Sequence, residues 1–331
     1  MIGCSSLTLT AKDKTQLLSR TMDFFMQMAR EVIYTPAGYQ MKSSYQQTTF
    51  ASKLATLGMG MNDNNGTIIF DGVNEKGLAA ATLYFSGYAV YPKVPKATTL
   101  PVTPDKLVQF LLSQYTSVAE VKNKLTHEIT LVDQPNPILK ITSPLHYILT
   151  DASGETLIIE PTKTGLHFYS DTIGVMTNAP DYPWMETNLR NYLALRPQQF
   201  PSVNWLGKEL QPFGQGSGSL GLPGDYTPPS RFVRVAFLKQ FTLQPADEIA
   251  AVSTAANILK SVSIPQGAVK KGDTFDHTCY TAFIATNSLS YYFSTATNQR
   301  LQKVSLTPEL LQIKIVKAFP VPQTEDINQL N

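Results

Sequence analysis

Small polar residues separate the apolar ones at the start of the chain, as they do in half-buried β-strands. Cys4, Leu7 and Leu9 are spaced in this way, a polar turn follows at 12–14, and a second run covers 17–22. Two such segments joined by a short turn predict an antiparallel hairpin. Runs rich in β-branched and aromatic residues predict further strands, at 67–70, 79–91, 146–151, 156–161, 174–177, 280–286 and 290–295.

Four segments have apolar residues at helical spacing. In the first, Thr103 is the expected N-cap and Pro104 the first helical residue, a position where the missing N–H of proline costs nothing. The second starts with a capping box from Ser117 to Glu120. The others cover 230–241 and 246–262.

Two glycine-containing segments predict loops. The stretch 198–229 is rich in Gly and Pro, which predicts a long irregular loop. The sequence GMGMND at 58–63 lacks the lysine and hydroxyl residue of a phosphate-binding loop, and a surface loop is the simplest interpretation. Strand and helix signals interleave without a change in composition, so we expect a single α+β domain.

Composition narrows the classes of function. The chain has 331 residues, 43% of them hydrophobic, and a net charge of +2, which favours neither nucleic acid nor anionic membranes as a partner. The N-terminal residues lack the features of a signal peptide, and no apolar run is long enough to span a bilayer. Two cysteines and four histidines occur without metal-ligand spacing. We expect a cytoplasmic protein with no metal and no cofactor.

Cys4 is the one residue whose position points to catalysis. A cysteine at a new N-terminus can act as nucleophile while its own α-amine takes the thiol proton. That chemistry requires removal of residues 1–3, and Gly3 leaves the carbonyl of the Gly3–Cys4 bond sterically open. Taken alone, Cys4 is more often a small buried residue on a first strand. Cys279, within a strand-like run, is expected to be such a residue.

Five motifs in the same chain resemble those of the choloylglycine hydrolase family. They are CSSLTLTAKD at 4–13, SRTMDF at 19–24, FDGVNEKGLAAATLYFSGYAVYP at 70–92, VMTNAPDYPWMETNLRNY at 175–192 and PPSRFVR at 228–234. The resemblance implies a four-layer αββα sandwich of the N-terminal-nucleophile (Ntn) hydrolases. It also implies residues 1–3 as a propeptide and 4–331 as one domain that hydrolyses a linear amide through a thioester.

The resemblance assigns roles to residues around Cys4, the nucleophile. Asp23 would hold the α-amine, and Arg20 would place a positive charge near the sulfur and lower the thiol pKa. Asn178 and the backbone N–H of Tyr84 would stabilise the oxyanion. Arg231 would lie close to Cys4 and Asp23 and stabilise developing charge.

Within the family, the motifs are most similar to those of penicillin V acylases. Tyr84 and the pair Arg20-Thr21 stand where bile-salt hydrolases usually carry asparagine and Arg-Asn. Penicillin V is therefore the expected small-molecule substrate, with conjugated bile salts and N-acyl homoserine lactones as alternatives. An inactive binding protein on the same fold is the non-enzyme alternative.

Substrate contacts and assembly are less strongly indicated. Tyr84 and Met22 are expected to contact the acyl group, and Met59 and Met61 would add adaptable apolar surface to the pocket. The segment 135–145 is a further candidate wall. Members of the family form tetramers, so we expect a homotetramer with 186–225 as an irregular extension at the contact. Trp205 and Phe213 are its candidate anchors.

Overall fold

Two antiparallel sheets lie face to face between two layers of helices in the computed structural model, which describes residues 3–26, 31–43, 45–46, 48–63, 66–136 and 139–331. The strands are β1 (Ser5–Thr10), β2 (Gln16–Phe24), β3 (Glu31–Thr35), β4 (Gln40–Lys42), β5 (Thr49–Ala51), β6 (Thr56–Asp63), β7 (Gly66–Asn74), β8 (Ala79–Tyr84), β9 (Leu100–Val102), β10 (Ile129–Leu131), β11 (Leu145–Thr150), β12 (Thr156–Thr162), β13 (Gly165–Tyr169), β14 (Val175–Met176), β15 (Val203–Trp205), β16 (Lys208–Leu210), β17 (Val269–Lys271), β18 (Thr274–Ala285), β19 (Ser290–Thr295), β20 (Gln302–Ser305) and β21 (Lys317–Pro320).

Four of the six α-helices in the described residues lie in the predicted helical segments, whereas the helices at 182–188 and 308–311 were not predicted. The α-helices are α1 (Leu107–Gln114), α2 (Val118–Glu128), α3 (Tyr182–Asn188), α4 (Pro228–Phe241), α5 (Glu248–Lys260) and α6 (Pro308–Leu311). Short 3₁₀ helices cover Pro104–Lys106, Leu189–Tyr192 and Ser217–Ser219.

The first sheet has the strand order β14-β1-β2-β18-β19-β20, with β17 on β18, and the second has the order β13-β12-β11-β8-β7-β6-β3-β21. Helices α4 and α5 pack on the first sheet, and α1 and α2 pack on the second. One apolar core fills the space between the sheets and extends beneath α4 and α5, and the other lies beneath α1 and α2. The expected four-layer αββα sandwich is thereby confirmed.

The predicted hairpin is present, since β1 pairs with β2 from Ser5↔Thr21 to Thr10↔Gln16. The Ser117 cap is also present, because its hydroxyl accepts from the Glu120 N–H at 3.2 Å. Thr103 is at the predicted N-cap position, and Pro104 is the first helical residue as expected. The Thr103 hydroxyl nevertheless donates to the carbonyl of Ser43, and no side-chain bond caps the helix.

Three other local predictions need correction. The strand predicted over 79–91 ends at Tyr84, and the segment 198–229 contains the β15–β16 hairpin and the start of α4. The loop predicted at 58–63 is part of strand β6. A Cβ at Gly58 or Gly60 would lie 2.3 Å or 2.1 Å from a backbone oxygen of β7. These glycines therefore allow close approach of two strands and do not make the segment flexible.

Candidate active site

Cys4 lies directly before β1 and is buried in the core between the two sheets, with 3% of its surface exposed. The β1–β2 register brings the Arg20–Met22 segment of β2 alongside it. Nη2 of Arg20 donates to the Cys4 sulfur at 2.7 Å, and the sulfur of Met22 is 3.9 Å away. A guanidinium at this distance stabilises negative charge on the sulfur, as a nucleophilic thiolate requires.

Arg20 is fully buried and is held from the side opposite to Cys4. Its Nη1 donates to Oδ2 of Asp71 at 2.7 Å and to the Tyr280 hydroxyl at 3.0 Å. Tyr280 and Tyr291 each donate a short hydrogen bond to the same carboxylate. Burial lowers the pKa of Arg20, but Cys4, Tyr280 and Asp71 outweigh it and hold that pKa well above its ordinary value. The arginine therefore stays charged in the core.

A β-bulge in β7 lets Asp71 reach this network. The β6–β7 register shifts from Met59↔Asp71 to Gly60↔Ile69, so Phe70 is an extra residue on β7. On β7, the side chains of Ile68 and Phe70 pack into the core between the sheets, and Ile69 packs beneath the helices. An extra residue re-aims the side chains that follow it. Asp71 consequently points between the sheets toward Arg20.

Asp23, at the end of β2, is fully buried beside the same site. Its carboxylate accepts from the hydroxyls of Thr278 at 2.6 Å and Thr21 at 3.1 Å, and it lies 3.9 Å from Nη1 of Arg231. Burial raises the pKa of Asp23 above its ordinary value, and Arg231 and Thr278 oppose part of that rise. The carboxylate is thus well placed to hold a cationic group near Cys4.

Arg231, in the first turn of α4, is fully buried and joins several parts of the site. Its Nη1 donates to the backbone carbonyl of Cys4 at 2.7 Å and to the Ser5 hydroxyl at 2.6 Å. Its Nη2 donates to Oδ1 of Asn178 at 2.7 Å. Burial lowers the pKa of Arg231, and the negative charges of Asp23 and Cys4 oppose that shift.

Asn178 and Tyr84 lie against the peptide that precedes Cys4. Nδ2 of Asn178 donates to the Tyr84 carbonyl at 2.6 Å. A Cβ on Gly3 would lie 2.9 Å from that nitrogen and 3.3 Å from the Cβ of Tyr84. The Phe85 N–H donates to Pro144 on one side of the strand. Because successive N–H groups of a strand point in opposite directions, the Tyr84 N–H faces away from β11.

A buried histidine supports the segment that carries Asn178. The ring nitrogens of His146 lie 2.8 Å from the carbonyl of Thr177 and 3.0 Å from the carboxylate of Glu160. The ring also stacks on Phe85 at a centroid distance of 4.3 Å. These contacts fix the backbone on both sides of the candidate oxyanion site.

The pocket beside Cys4 is mostly apolar. Met22, Tyr84, Ile68, Phe70 and Leu83 line it, together with Phe24, Met26, Leu139 and Leu145. Polar groups also reach it, namely Asp23, Thr82, Asp105, Asn136 and Ser143. The predicted wall at 135–145 is therefore present, except that Pro137 and Ile138 lie outside the described residues.

Of the four residues predicted to bind substrate, two line the pocket and two do not. Met22 and Tyr84 line the pocket. Met59 is fully buried in the core between the sheets, and Met61 packs against that core, both on β6. Neither methionine is among the lining residues, because β6 is separated from the pocket by β7.

The structure brings all six residues predicted to be catalytic into one connected site, while their roles stay predictions. The motif matches did not single out Asp71, His146 or Glu160. Asp71 lies in the FDGVN segment of a matched motif, which was a usable signal. Nothing in the sequence pairs His146 with Glu160 across β11 and β12, since that contact depends on the fold.

The described residues contain neither a metal-binding cluster nor a membrane-spanning helix. No group of three or more His, Cys, Asp or Glu side chains in that part of the chain is arranged to hold a metal ion. None of the helices in the same residues is long and apolar enough to cross a membrane.

Comparison with known proteins identifies the family. Residues 4–320 match the model of the linear amide C–N hydrolases, choloylglycine hydrolase family. A bile salt hydrolase/transferase of Clostridium perfringens is 31% identical over 99% of this chain and 100% of its own length. A conjugated bile acid hydrolase of Lactobacillus acidophilus is 34% identical over 87% of this chain and 91% of its own length. The solved structure of a mutant conjugated bile acid hydrolase from C. perfringens superposes with a TM-score of 0.91, covering 99% of this chain and 100% of that one.

The expected preference for penicillin V acylases over bile-salt hydrolases is not supported by these comparisons. A penicillin V acylase of Pectobacterium atrosepticum is 28% identical over only 72% of this chain and 63% of its own length. A penicillin V acylase structure from Agrobacterium tumefaciens has a TM-score of 0.75 at 20% identity, which shows a shared fold alone. The whole-length matches and the geometry around Cys4 agree in one respect: this chain belongs to the choloylglycine hydrolase family of linear amide C–N hydrolases.

Proposed function

We propose that this protein hydrolyses the amide bond of conjugated bile salts, with Cys4 as the nucleophile. The observation that carries the proposal is the Cys4 sulfur, 2.7 Å from the Arg20 guanidinium and at the wall of an apolar pocket. The curated relatives that match most of the chain include bile salt and conjugated bile acid hydrolases of several bacteria, which supports this choice of substrate.

Maturation precedes catalysis in this proposal. Removal of the residues ahead of Cys4 leaves it with a free α-amine, which accepts the thiol proton as the sulfur attacks. Asp23 holds the amine, while Arg20 stabilises charge on the sulfur. The family match begins at residue 4, in agreement with a mature protein that starts there.

The chemistry then takes two steps. The sulfur adds to the amide carbon, and the carbonyl oxygen becomes an oxyanion that accepts from Nδ2 of Asn178 and the Tyr84 N–H. The α-ammonium gives its proton to the leaving nitrogen as the C–N bond breaks, which releases the amino acid and leaves a thioester. Water, deprotonated by the same amine, attacks the thioester, and the bile acid leaves as the thiol is restored.

Parallel kinetics on glycocholate, penicillin V and an N-acyl homoserine lactone test the proposal. We expect the highest kcat/KM with glycocholate and no turnover by Cys4→Ala. Cys279→Ala is the matched control, because that thiol is also buried and its bonds to described residues go to backbone carbonyls and His277. Dominant turnover of penicillin V would reassign the substrate. Binding of all three compounds without turnover by mature protein would make the chain a binding protein.

A further inference from the structure

One charged side chain lines the apolar pocket away from the nucleophile and has unused hydrogen-bonding capacity. Asp105, in the 3₁₀ helix Pro104–Lys106, is only 8% exposed and is part of the pocket wall. Its Oδ2 accepts from the side-chain amide of Asn136 at 2.9 Å. Among the described residues no donor reaches Oδ1, and no cation lies within ion-pair distance of the carboxylate.

The polar groups near Asp105 are engaged elsewhere. The Tyr91 hydroxyl is bonded to the backbone carbonyls of Ser143 and Leu145, and the Tyr147 hydroxyl donates to the carbonyl of Pro104 at 2.8 Å. An ionised carboxylate can accept about four hydrogen bonds. Burying the Asp105 carboxylate with a single hydrogen-bond donor is unfavourable unless a molecule in the pocket supplies a second donor. Asp105 is therefore set up for a donor that comes from the bound molecule.

Strand β7 connects the 3₁₀ helix that carries Asp105 with the residues that hold the nucleophile. At one end, Nζ of Lys106 donates to the Thr67 carbonyl at 2.5 Å, which ties the 3₁₀ helix to the start of β7. At the other, Asp71 binds Arg20, which contacts Cys4. Thr67 and Asp71 are at most about 13 Å apart, at roughly 3.3 Å per residue of strand, because the bulge at Phe70 shortens this stretch of β7. An acyl group long enough to span the pocket would place its far end near Asp105.

We propose that Asp105 is a specificity subsite for a hydroxyl group carried by the acyl part of the substrate, at the end remote from the scissile amide. The walls between the two ends are Ile68, Phe70, Leu139 and Leu145, which suit a rigid hydrocarbon frame. A neutral hydroxyl is the appropriate donor, because a cation would lose its hydration against these apolar walls. The proposal rests on the proposed function in that it takes a conjugated bile salt as the amide substrate.

The test compares two taurine conjugates that differ only in the hydroxyl at the far end of the steroid, taurolithocholate and tauro-5β-cholanate. For the wild type we expect kcat/KM to favour the hydroxylated conjugate by about tenfold to hundredfold, the range for a hydrogen bond to a charged acceptor. Asp105→Leu should bring that ratio close to one. Asp105→Asn, which keeps the shape, should reduce it by a smaller factor.

Asp133→Asn is the matched control, because Asp133 is exposed on the neighbouring loop and is absent from the pocket wall. It should leave the ratio unchanged. Equal ratios in the wild type and in Asp105→Asn, with turnover retained, would overturn the subsite.

Calorimetry separates failure of the subsite from failure of the proposed function. The two free bile acids are titrated into Cys4→Ala protein with and without Asp105→Asn. A hydroxyl-dependent difference in affinity that is reduced by Asp105→Asn supports the subsite, even where neither conjugate is hydrolysed. Affinities that do not depend on the hydroxyl, or on Asp105, refute it.

Discussion

Arg231 fixes the orientation of the Asn178 side chain. Its Nη2 donates to Oδ1 of Asn178 at 2.7 Å, and a guanidinium carries only donors. The amide must therefore turn its carbonyl toward Arg231 and its NH₂ group toward Tyr84 and Gly3. That NH₂ group is the donor proposed for the oxyanion, so Arg231 acts on the reaction by positioning it.

Replacing Asn178 by alanine should slow the chemical step and leave the nucleophile accessible. We expect kcat to fall by about 10²–10³, the usual effect of losing one oxyanion donor. Steady-state kinetics should show the loss in kcat, while alkylation of Cys4 by iodoacetamide proceeds at the wild-type rate. Asn191→Ala, at an exposed position, is the control. An unchanged kcat for Asn178→Ala would remove this residue from the mechanism.

The buried network behind Arg20 should affect both stability and rate. Asp71→Ala leaves Arg20 charged and unpaired in the core, and we expect a loss of about 3–5 kcal/mol in the free energy of unfolding. Tyr291→Phe removes one charge-assisted hydrogen bond to Asp71 and should lose about 1.5–3 kcal/mol. Urea denaturation measures both.

Tyr292→Phe is the matched control for Tyr291→Phe. Its hydroxyl lies on the other face of the strand and donates to Glu248, away from Arg20. Both tyrosine variants lose a hydroxyl, but only Tyr291→Phe should also reduce kcat/KM. Equal activity in the two would show that the network is structural alone.

Gly3 should be required for maturation. Its φ of +61° is a conformation that other residues rarely adopt. An added Cβ would also press on Asn178 and Tyr84. The Gly3→Ala variant should therefore keep residues 1–3 and lose activity, as measured by intact-mass spectrometry and kinetics. Gly38→Ala is the control, because Gly38 also has a positive φ, with nothing within 4 Å of its added Cβ. Full activity of a protein that keeps Met1 would refute N-terminal catalysis.

The elements that follow from local pattern could be predicted from the sequence, and the contacts that need the fold could not. The β1–β2 hairpin and the start of α2 depend on residues within a few positions of each other. Asp71 and Arg20 are 51 residues apart and meet because of a bulge that leaves no clear mark in the sequence. Asp105 follows a proline at a helix start, where an acidic residue is common. Its position in the pocket wall, which only the fold shows, indicates a role in binding.

The same limit explains the misplaced methionines. Met59 lies between Gly58 and Gly60, and Met61 follows Gly60, which suggested an exposed loop. Those glycines instead let β6 approach β7, and the methionines follow the strand into the packed core. Arg231 illustrates the reverse case. An arginine in the first turn of a helix is usually solvated, but here it is fully buried against the backbone of Cys4.

The extension at 186–225 leads to a prediction on assembly. Trp205 is 68% exposed, and Leu206 and Phe213 are fully exposed. Large apolar side chains grouped on one extension are typical of a contact with another chain. We propose that they join the subunits of a homotetramer. Trp205→Ser with Phe213→Ser should lower the mass measured by light scattering, whereas Leu243→Ser, equally exposed on another segment, should not. A monomeric wild type would refute the tetramer.

Asp225 should give the α4 segment a pH-dependent contribution to stability. Hydrogen bonds from the hydroxyls of Ser230 and Thr227 lower the pKa of Asp225 to about 2. A carboxylate whose pKa is lower in the folded protein than in the unfolded chain stabilises the fold above the unfolded value of 3.8, and the effect disappears as pH falls toward 2. Asp225→Asn should therefore be less stable than the wild type at pH 7, by less than about 1 kcal/mol because the side chain is exposed. The difference should shrink between pH 4 and pH 2 in urea titrations. Glu209→Gln, on the exposed β15–β16 hairpin, is the control and should show no such change. If the difference in unfolding free energy between Asp225→Asn and the wild type stayed constant from pH 4 to pH 2, the role of this carboxylate in holding the helix that carries Arg231 would be contradicted.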